Sequence, residues 1–237
     1  MMLYSRYFKS GQKVLLRSLA AEPGRFEALT AFFKGGGADH FDLLLPYRAQ
    51  GEESYPFAPG MPFEVLSEAL GMGVRVTGSY AGPVGDDGVR LHLDSDLQIY
   101  KRRLAVRIDT DAGLRYTKGK GTLRSFHEQW AKNVEILREN KTRLPEFPRC
   151  QVNLSVGGVR FAINPPVEVA DISLLLLELE SGKPPICALA EVVWLEEKEV
   201  QGRRRVGMQF LNILQEDQER IAKFIRAREP SNDSKGV

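Results

Sequence analysis

Apolar and polar residues alternate over short stretches for most of the first hundred positions. The runs "KVLLRSLA", "FEALTAFF", "HFDLLLP", "PFEVLSEAL", "VRVTGSY" and "VRLHLD" are separated by "AEPG", "KGGGAD", "QGEES" and "GPVGDDG". A period of two between turn-forming residues predicts half-buried strands joined by short connections. Several such strands in series predict an all-β sandwich or barrel rather than alternating β and α units. One run, "PGMPFEVLSEALG", also fits a helix.

The period changes at Thr122. From there to Asn140, Leu123, Phe126, Trp130, Val134 and Leu137 recur at spacings of three and four, with Glu, Lys and Arg between them. This predicts an amphipathic helix, closed by Pro145 and Pro148, whose stripe is expected to pack against its own chain. Strand patterns return in "CQVNLSVGGVRFAI", "DISLLLLELE", "ICALAEVVWLE" and "RRRVGMQFLNI". In "QEDQERIAKFIRARE", Ile221, Phe224 and Ile225 form one stripe, with acidic residues in the first turn and basic ones in the last. A dipole-matched helix ending before Pro230 is expected, and "SNDSKGV" after it is expected to be a disordered tail. The best boundary lies near residues 95 to 100. This gives an N-terminal β domain over 1–98, a second domain over 99–229 and a tail over 230–237.

Composition narrows the classes. Of 237 residues 43% are hydrophobic and 27% charged, enough for a core in an ordinary soluble chain. The 33 basic and 31 acidic residues leave a net charge of +2, which argues against a general nucleic-acid coat. The apolar runs are strand-sized and predict no membrane span, and the N-terminus lacks a secretory pattern. Cys150 and Cys187 form no C-x-x-C pair and read as reduced, buried residues of a cytoplasmic protein. His40, His92 and His127 are scattered, so no metal site is expected. The glycine-rich turns fit no phosphate loop, and "LDSDLQ" brings two carboxylates together without any other acid–base group. A flavin-binding barrel has no residue pattern behind it. No catalytic set and no cofactor are expected.

Two stretches carry candidate chemistry. In "YKRRLAVRID", residues 100 to 109, a strand period would put Lys101, Arg103 and Arg107 on one face and Leu104, Val106 and Ile108 on the other. Two arginines so placed, or kept neighbours by their four-residue spacing in a turn or a helix, can clamp a phosphate each, or a phosphate and a guanine edge, because a guanidinium donates two parallel hydrogen bonds. By itself the stretch also fits a charged strand edge that discourages aggregation. In "VNLSVGGVRF", Asn153 and Ser155 can offer an amide and a hydroxyl from one face of a hairpin. Gly157 and Gly158 then suggest unusual backbone angles and a close approach of ligand or backbone.

In order, R-x-x-x-R (Arg103, Arg107) and [D/N]-x-S-x-x-G (Asn153, Ser155, Gly158) resemble the PilZ domain, the bacterial receptor module for cyclic di-GMP. "ICALAEVVW", "GRRRVGMQF" and the closing helix are similar to that family's last strands and C-terminal helix. "DISLLLL" begins like the same motif, but Leu176 stands where glycine belongs, so the site is assigned to Asn153 rather than Asp171. About 45 residues separate Arg107 from Asn153, more than in most relatives. This implies an insertion over about 110–148 that carries the amphipathic helix and is a candidate cover, dimer interface or effector contact. The first domain is similar in arrangement to the β-barrel that precedes PilZ in flagellar-brake-type proteins.

The resemblance implies a mainly β fold of two barrels, the second six-stranded with a C-terminal helix. It also implies a non-enzymatic receptor for cyclic di-GMP. Arg103 and Arg107 would hold phosphates and guanine edges, Arg102 would stack on a base or pair with a phosphate, and Asn153 and Ser155 would bind a guanine edge, with Gly158 permitting close approach. Binding at the domain junction would change the interdomain arrangement and act on motility, exopolysaccharide output or adhesion through a protein effector such as the flagellar motor or polysaccharide machinery. The competing reading is a degenerate adaptor that binds no nucleotide and works through protein contacts.

Overall fold

A computed structural model of the chain describes residues 4–47, 55–69, 72–101, 106–117, 122–139 and 146–228. It contains two compact units, Met1–Leu104 with Lys120–Glu128, and Ala105–Gly119 with Gln129–Val237.

The first unit is built on β1 (Lys13–Ser18), β2 (Arg25–Gly36), β3 (His40–Leu44), β4 (Pro62–Ala69), β5 (Met72–Val84), β6 (Gly88–Leu93) and β7 (Gln98–Lys101). Neighbours run β1-β4-β5-β6-β3-β2 and return to β1, all antiparallel. The ring closes on itself, which removes free sheet edges; β7 pairs separately with Met72–Arg75 of β5. The stretch that also fitted a helix is strand β4. Phe63 and Val65, two apart, are both fully buried, as a strand period requires. Phe41 sits at the centre of an aromatic core, with Phe8, Phe33 and Tyr4 ring centroids 4.7, 5.0 and 5.2 Å away. Such rings combine large apolar burial with favourable tilted and edge contacts.

The second unit contains β8 (Ile108–Tyr116), β9 (Arg149–Ser155), β10 (Gly158–Ile163), β11 (Ile172–Glu178), β12 (Ile186–Leu195) and β13 (Arg204–Leu214). Their order, β8-β9-β10-β13-β12-β11 and back to β8, closes a second six-stranded antiparallel ring. Helix α1 (Leu123–Arg138) lies between β8 and β9 in sequence, and α2 (Gln215–Arg226) follows β13 directly. Residues of α1 as far as Glu128 cluster with the first unit and those from Gln129 with the second.

The stripe of α1 is core. Leu123, Phe126 and Val134 are buried, and fully buried Trp130 donates its indole N–H to the Cys187 carbonyl at 3.0 Å. That bond satisfies the one polar atom of an otherwise apolar side chain. On α2, Ile221, Phe224 and Ile225 are buried, and the helix packs beside β9 and β13. Both cysteines are free thiols; burial raises the Cys150 thiol pKa and pushes that of Cys187 up to about 12. Among the described residues no helix is long and apolar enough to cross a membrane.

Two expectations change. "YKRRLAVRID" is not one strand: β7 ends at Lys101, β8 begins at Ile108, and Val106 and Arg107 lie in neither. Val106 is 50% exposed rather than turned to a core. The segment expected as an insertion from residue 110 begins later, because residues up to Tyr116 belong to ring strand β8. Its pattern hid it: charged Asp109 and Asp111 precede a run of three buried residues, Ala112, Gly113 and Leu114, instead of alternating.

Candidate functional site

The register of β8, β9 and β10 builds the site. Ile108 pairs with Leu154 and Asp109 with Asn153, so Arg107, just before β8, comes beside the end of β9 where Ser155 lies. Strand pairing thus cancels the long sequence separation. Arg107 is exposed and makes no hydrogen bond or ion pair among the described residues. Arg102 and Arg103 lie outside the described residues.

Asn153 is half-buried and donates from Nδ2 to Asp109 Oδ1 at 2.9 Å. Ser155 is only 6% exposed, and its hydroxyl donates to the Gly158 carbonyl at 3.2 Å, closing the two-residue turn Val156–Gly157. This bond ties the hydroxyl to the turn rather than presenting it openly. The Val156 carbonyl accepts from Gln218 Nε2 of α2 at 3.3 Å, and the Gly157 carbonyl accepts from the Phe210 amide at 3.0 Å. The turn is therefore held from three sides.

The glycines meet one part of the sequence reading, the close approach of backbone at Gly158, and not the other, the unusual backbone angles. Neither Gly157 nor Gly158 takes a positive φ. A Cβ on Gly158 would fall 2.2 Å from the Met208 carbonyl oxygen, so the close approach it permits is that of β13. A Cβ on Gly157 would meet nothing within 4 Å.

Pairing extends this site by residues that sequence spacing does not connect. Asn153 faces Arg160, Arg160 faces Gly207, and Gly207 faces Trp194, giving a row across β9, β10, β13 and β12. Arg160 is exposed and makes no hydrogen bond or ion pair among the described residues; Trp194 is 44% exposed. The glycine between them leaves the row open, with a guanidinium on one side and an indole on the other. Such groups bind phosphates and planar bases. The sequence offers no signal that Trp194 faces outward, since it continues the apolar run of β12.

The other candidates have local roles. Asp171 accepts from the Glu168 amide at 2.8 Å and opens β11, most of whose residues are buried. Asp94 and Asp96 both approach the Thr77 hydroxyl, at 2.6 and 3.0 Å, as parts of a turn. His40 and His92, far apart in sequence, are register partners on β3 and β6. Among the described residues no group of three or more His, Cys, Asp or Glu is placed to hold a metal ion. A cleft of about 290 Å³ in the second unit is lined by Val134 and Leu137 of α1, Pro185, Cys187, and Leu214 and Asp217 near the start of α2, and shares no residue with the motif turn.

The second unit is thus a closed antiparallel ring with a terminal helix and a motif-bearing hairpin, and comparison with known families gives it a name. Residues 132–227 match the profile of the PilZ domain, and this part of the chain is a PilZ domain. The match contains Asn153, Ser155, Gly158, Arg160 and Trp194, and begins after Arg107 and β8. No curated protein sequence matches the chain. Similar solved structures include the Bacillus subtilis inhibitor of motility MotI/DgrA, at 15% identity, 93% coverage of this chain, 98% of that chain and a TM-score of 0.38. Escherichia coli YcgR in complex with cyclic di-GMP is 13% identical, with coverages of 92% and 84% and a TM-score of 0.32. K. pneumonia MrkH in its apo state is 12% identical, with coverages of 92% and 86% and a TM-score of 0.38.

Proposed function

We propose that the chain is a cytoplasmic, non-enzymatic receptor for cyclic di-GMP that binds through Arg102, Arg103, Arg107, Asn153 and the β9–β10 turn. The observation that carries this reading is a PilZ domain whose motif hairpin is brought by the β8–β9 register to an exposed arginine with no partner of its own among the described residues. The ligand offers two phosphates and two guanines, and an arginine fork donates to either a phosphate or the guanine O6/N7 edge. Arg160 adds a second exposed guanidinium, and Trp194 a surface on which a base stacks. Ser155 and Gly158 serve by fixing the hairpin.

The division between the two units falls between Leu104 and Ala105, inside the R-x-x-x-R motif. Ligand binding is proposed to favour one interdomain arrangement over another, which needs a different affinity for the two. That change is the signal, passed to a protein effector of motility, exopolysaccharide output or adhesion. The alternative is an adaptor that binds no nucleotide and uses the inserted helix for partner contact; with Leu123, Phe126, Trp130 and Val134 buried, that contact would fall to the exposed face of α1.

Calorimetric titration with cyclic di-GMP tests the proposal. The full chain should bind at about micromolar affinity or tighter. Arg107→Ala should weaken binding about 10- to 100-fold, the worth of one charge-assisted hydrogen bond, without moving the melting temperature. Absence of heat at saturating ligand refutes the receptor. Small-angle scattering that is unchanged by bound ligand refutes the change of arrangement alone.

A further inference from the structure

We infer that Asp109 reads the guanine base, its carboxylate accepting from N1–H and N2–H, and so sets the preference for guanine over adenine among cyclic dinucleotides. The inference rests on the receptor reading above and adds to it a residue that lies outside both halves of the motif and before the matched segment.

Three observations lead to it. The motif position that takes Asp or Asn holds the amide here, and a carboxylate stands one strand away, 2.9 Å from that amide. Asp109 is exposed, its Oδ1 accepts from Asn153, and its Oδ2 has no partner among the described residues. Arg107 lies two residues before it and Arg160 lies across Asn153, yet neither forms an ion pair with it. A carboxylate two residues from an arginine, not bonded to it and held by its amide partner, has acceptor capacity to spare, since each carboxylate oxygen has two acceptor sites. By contrast, Asp111, on the same face of β8, is engaged by Gln151 at 2.8 Å.

The chemistry of the bases then decides. Guanine's Watson–Crick edge carries two adjacent donors, N1–H and N2–H, beside the O6 acceptor. Adenine carries a donor at N6 and a lone pair at N1, with nothing at C2. A carboxylate receives guanine's two donors in parallel, while an arginine supplies the donor that O6 needs. The same carboxylate faces the N1 lone pair of adenine with like charge and gains no hydrogen bond there. Phosphate contacts carry no base information, because both cyclic dinucleotides share them.

The test is calorimetric titration of cyclic di-GMP and cyclic di-AMP into the full chain and its Asp109→Asn, Asp109→Glu and Arg107→Ala variants, with melting curves for each. The wild type should prefer the guanine ligand. Asp109→Asn should weaken cyclic di-GMP about 10- to 100-fold and leave cyclic di-AMP unchanged or tighter, so that selectivity narrows. Asp109→Glu should restore part of the loss. An Asp109→Asn variant that binds cyclic di-GMP as tightly as wild type, or more tightly because a negative charge is gone, with selectivity intact, overturns the inference; so does a parallel loss of both ligands. A wild type that binds neither, or an Arg107→Ala variant that binds like wild type, fails the receptor reading instead.

Discussion

Gly158 offers a direct separation of scaffold from ligand contact. Replacing it with alanine puts a Cβ 2.2 Å from the Met208 carbonyl oxygen, where ordinary contact starts near 3.4 Å, and 3.3 Å from the Gln209 Cα. The obstacle is backbone of β13, paired with β10 from Gly158 to Ile163, so no side chain can swing aside. Opening that pairing by about 1 Å is overpacking of the kind that costs about 1–3 kcal/mol. For a unit of about 100 residues this lowers the melting temperature by roughly 5–20 °C. Gly157→Ala is the control one residue away. Its Cβ meets nothing within 4 Å and its φ is not positive, so the change is expected to be neutral or to stabilise by up to about 1 kcal/mol through the unfolded state. Both variants are melted with and without cyclic di-GMP and titrated with ligand well below the transition. A Gly158→Ala protein that melts like wild type but has lost the ligand would refute the reasoning, because the glycine would then be serving the nucleotide rather than β13.

Trp130→Ala should cost about 3–5 kcal/mol in denaturant titration, since the side chain is fully buried. Trp130→Phe should cost less, including about 1 kcal/mol for the lost donor to the Cys187 carbonyl; equal losses would mean that the indole volume is not being used. In the first unit, Arg90 grips Asp42 through two hydrogen bonds, at 2.7 and 2.9 Å, and holds that carboxyl below its usual pKa. A lowered folded pKa gives stability that is fully present above the unfolded value, about 3.9, and is lost as pH falls through the folded value. Arg90→Gln should therefore lower the melting temperature only slightly at pH ~7, the pair being near the surface, and the deficit should close in acid. A deficit that grows in acid would contradict this sign.

Most strands were legible because their apolar residues are local and periodic. Val14 and Leu16 of β1 alternate cleanly, and the 3–4 spacing of Leu123, Phe126, Trp130 and Val134 marks α1 without ambiguity. β8 was not legible as a ring strand, because its inner residues include Gly113, where a Cβ would come 2.6 Å from that of Phe147. A strand whose packing demands the smallest residue loses the apolar signal by which strands are found.

The site shows the same limit from another side. The motif residues were visible as letters at fixed spacing, but their work depends on register, which long-range pairing sets. Pairing gives Ser155 to the turn, gives Gly158 to β13, and brings Arg107 to the end of β9. Register also sets Asp109 and Arg160 on either side of Asn153, with Trp194 further along the same row, each on a different strand and none within the motif. A ring of antiparallel strands turns residues scattered over the chain into one row, so a linear motif marks where such a site is anchored while the neighbouring strands determine what it can recognise. On this argument specificity should vary among chains sharing the same motif according to what stands opposite Asn153 on its two sides. Here those residues are a carboxylate and a guanidinium, one set of acceptors and one of donors, and a guanine edge presents the complement of both.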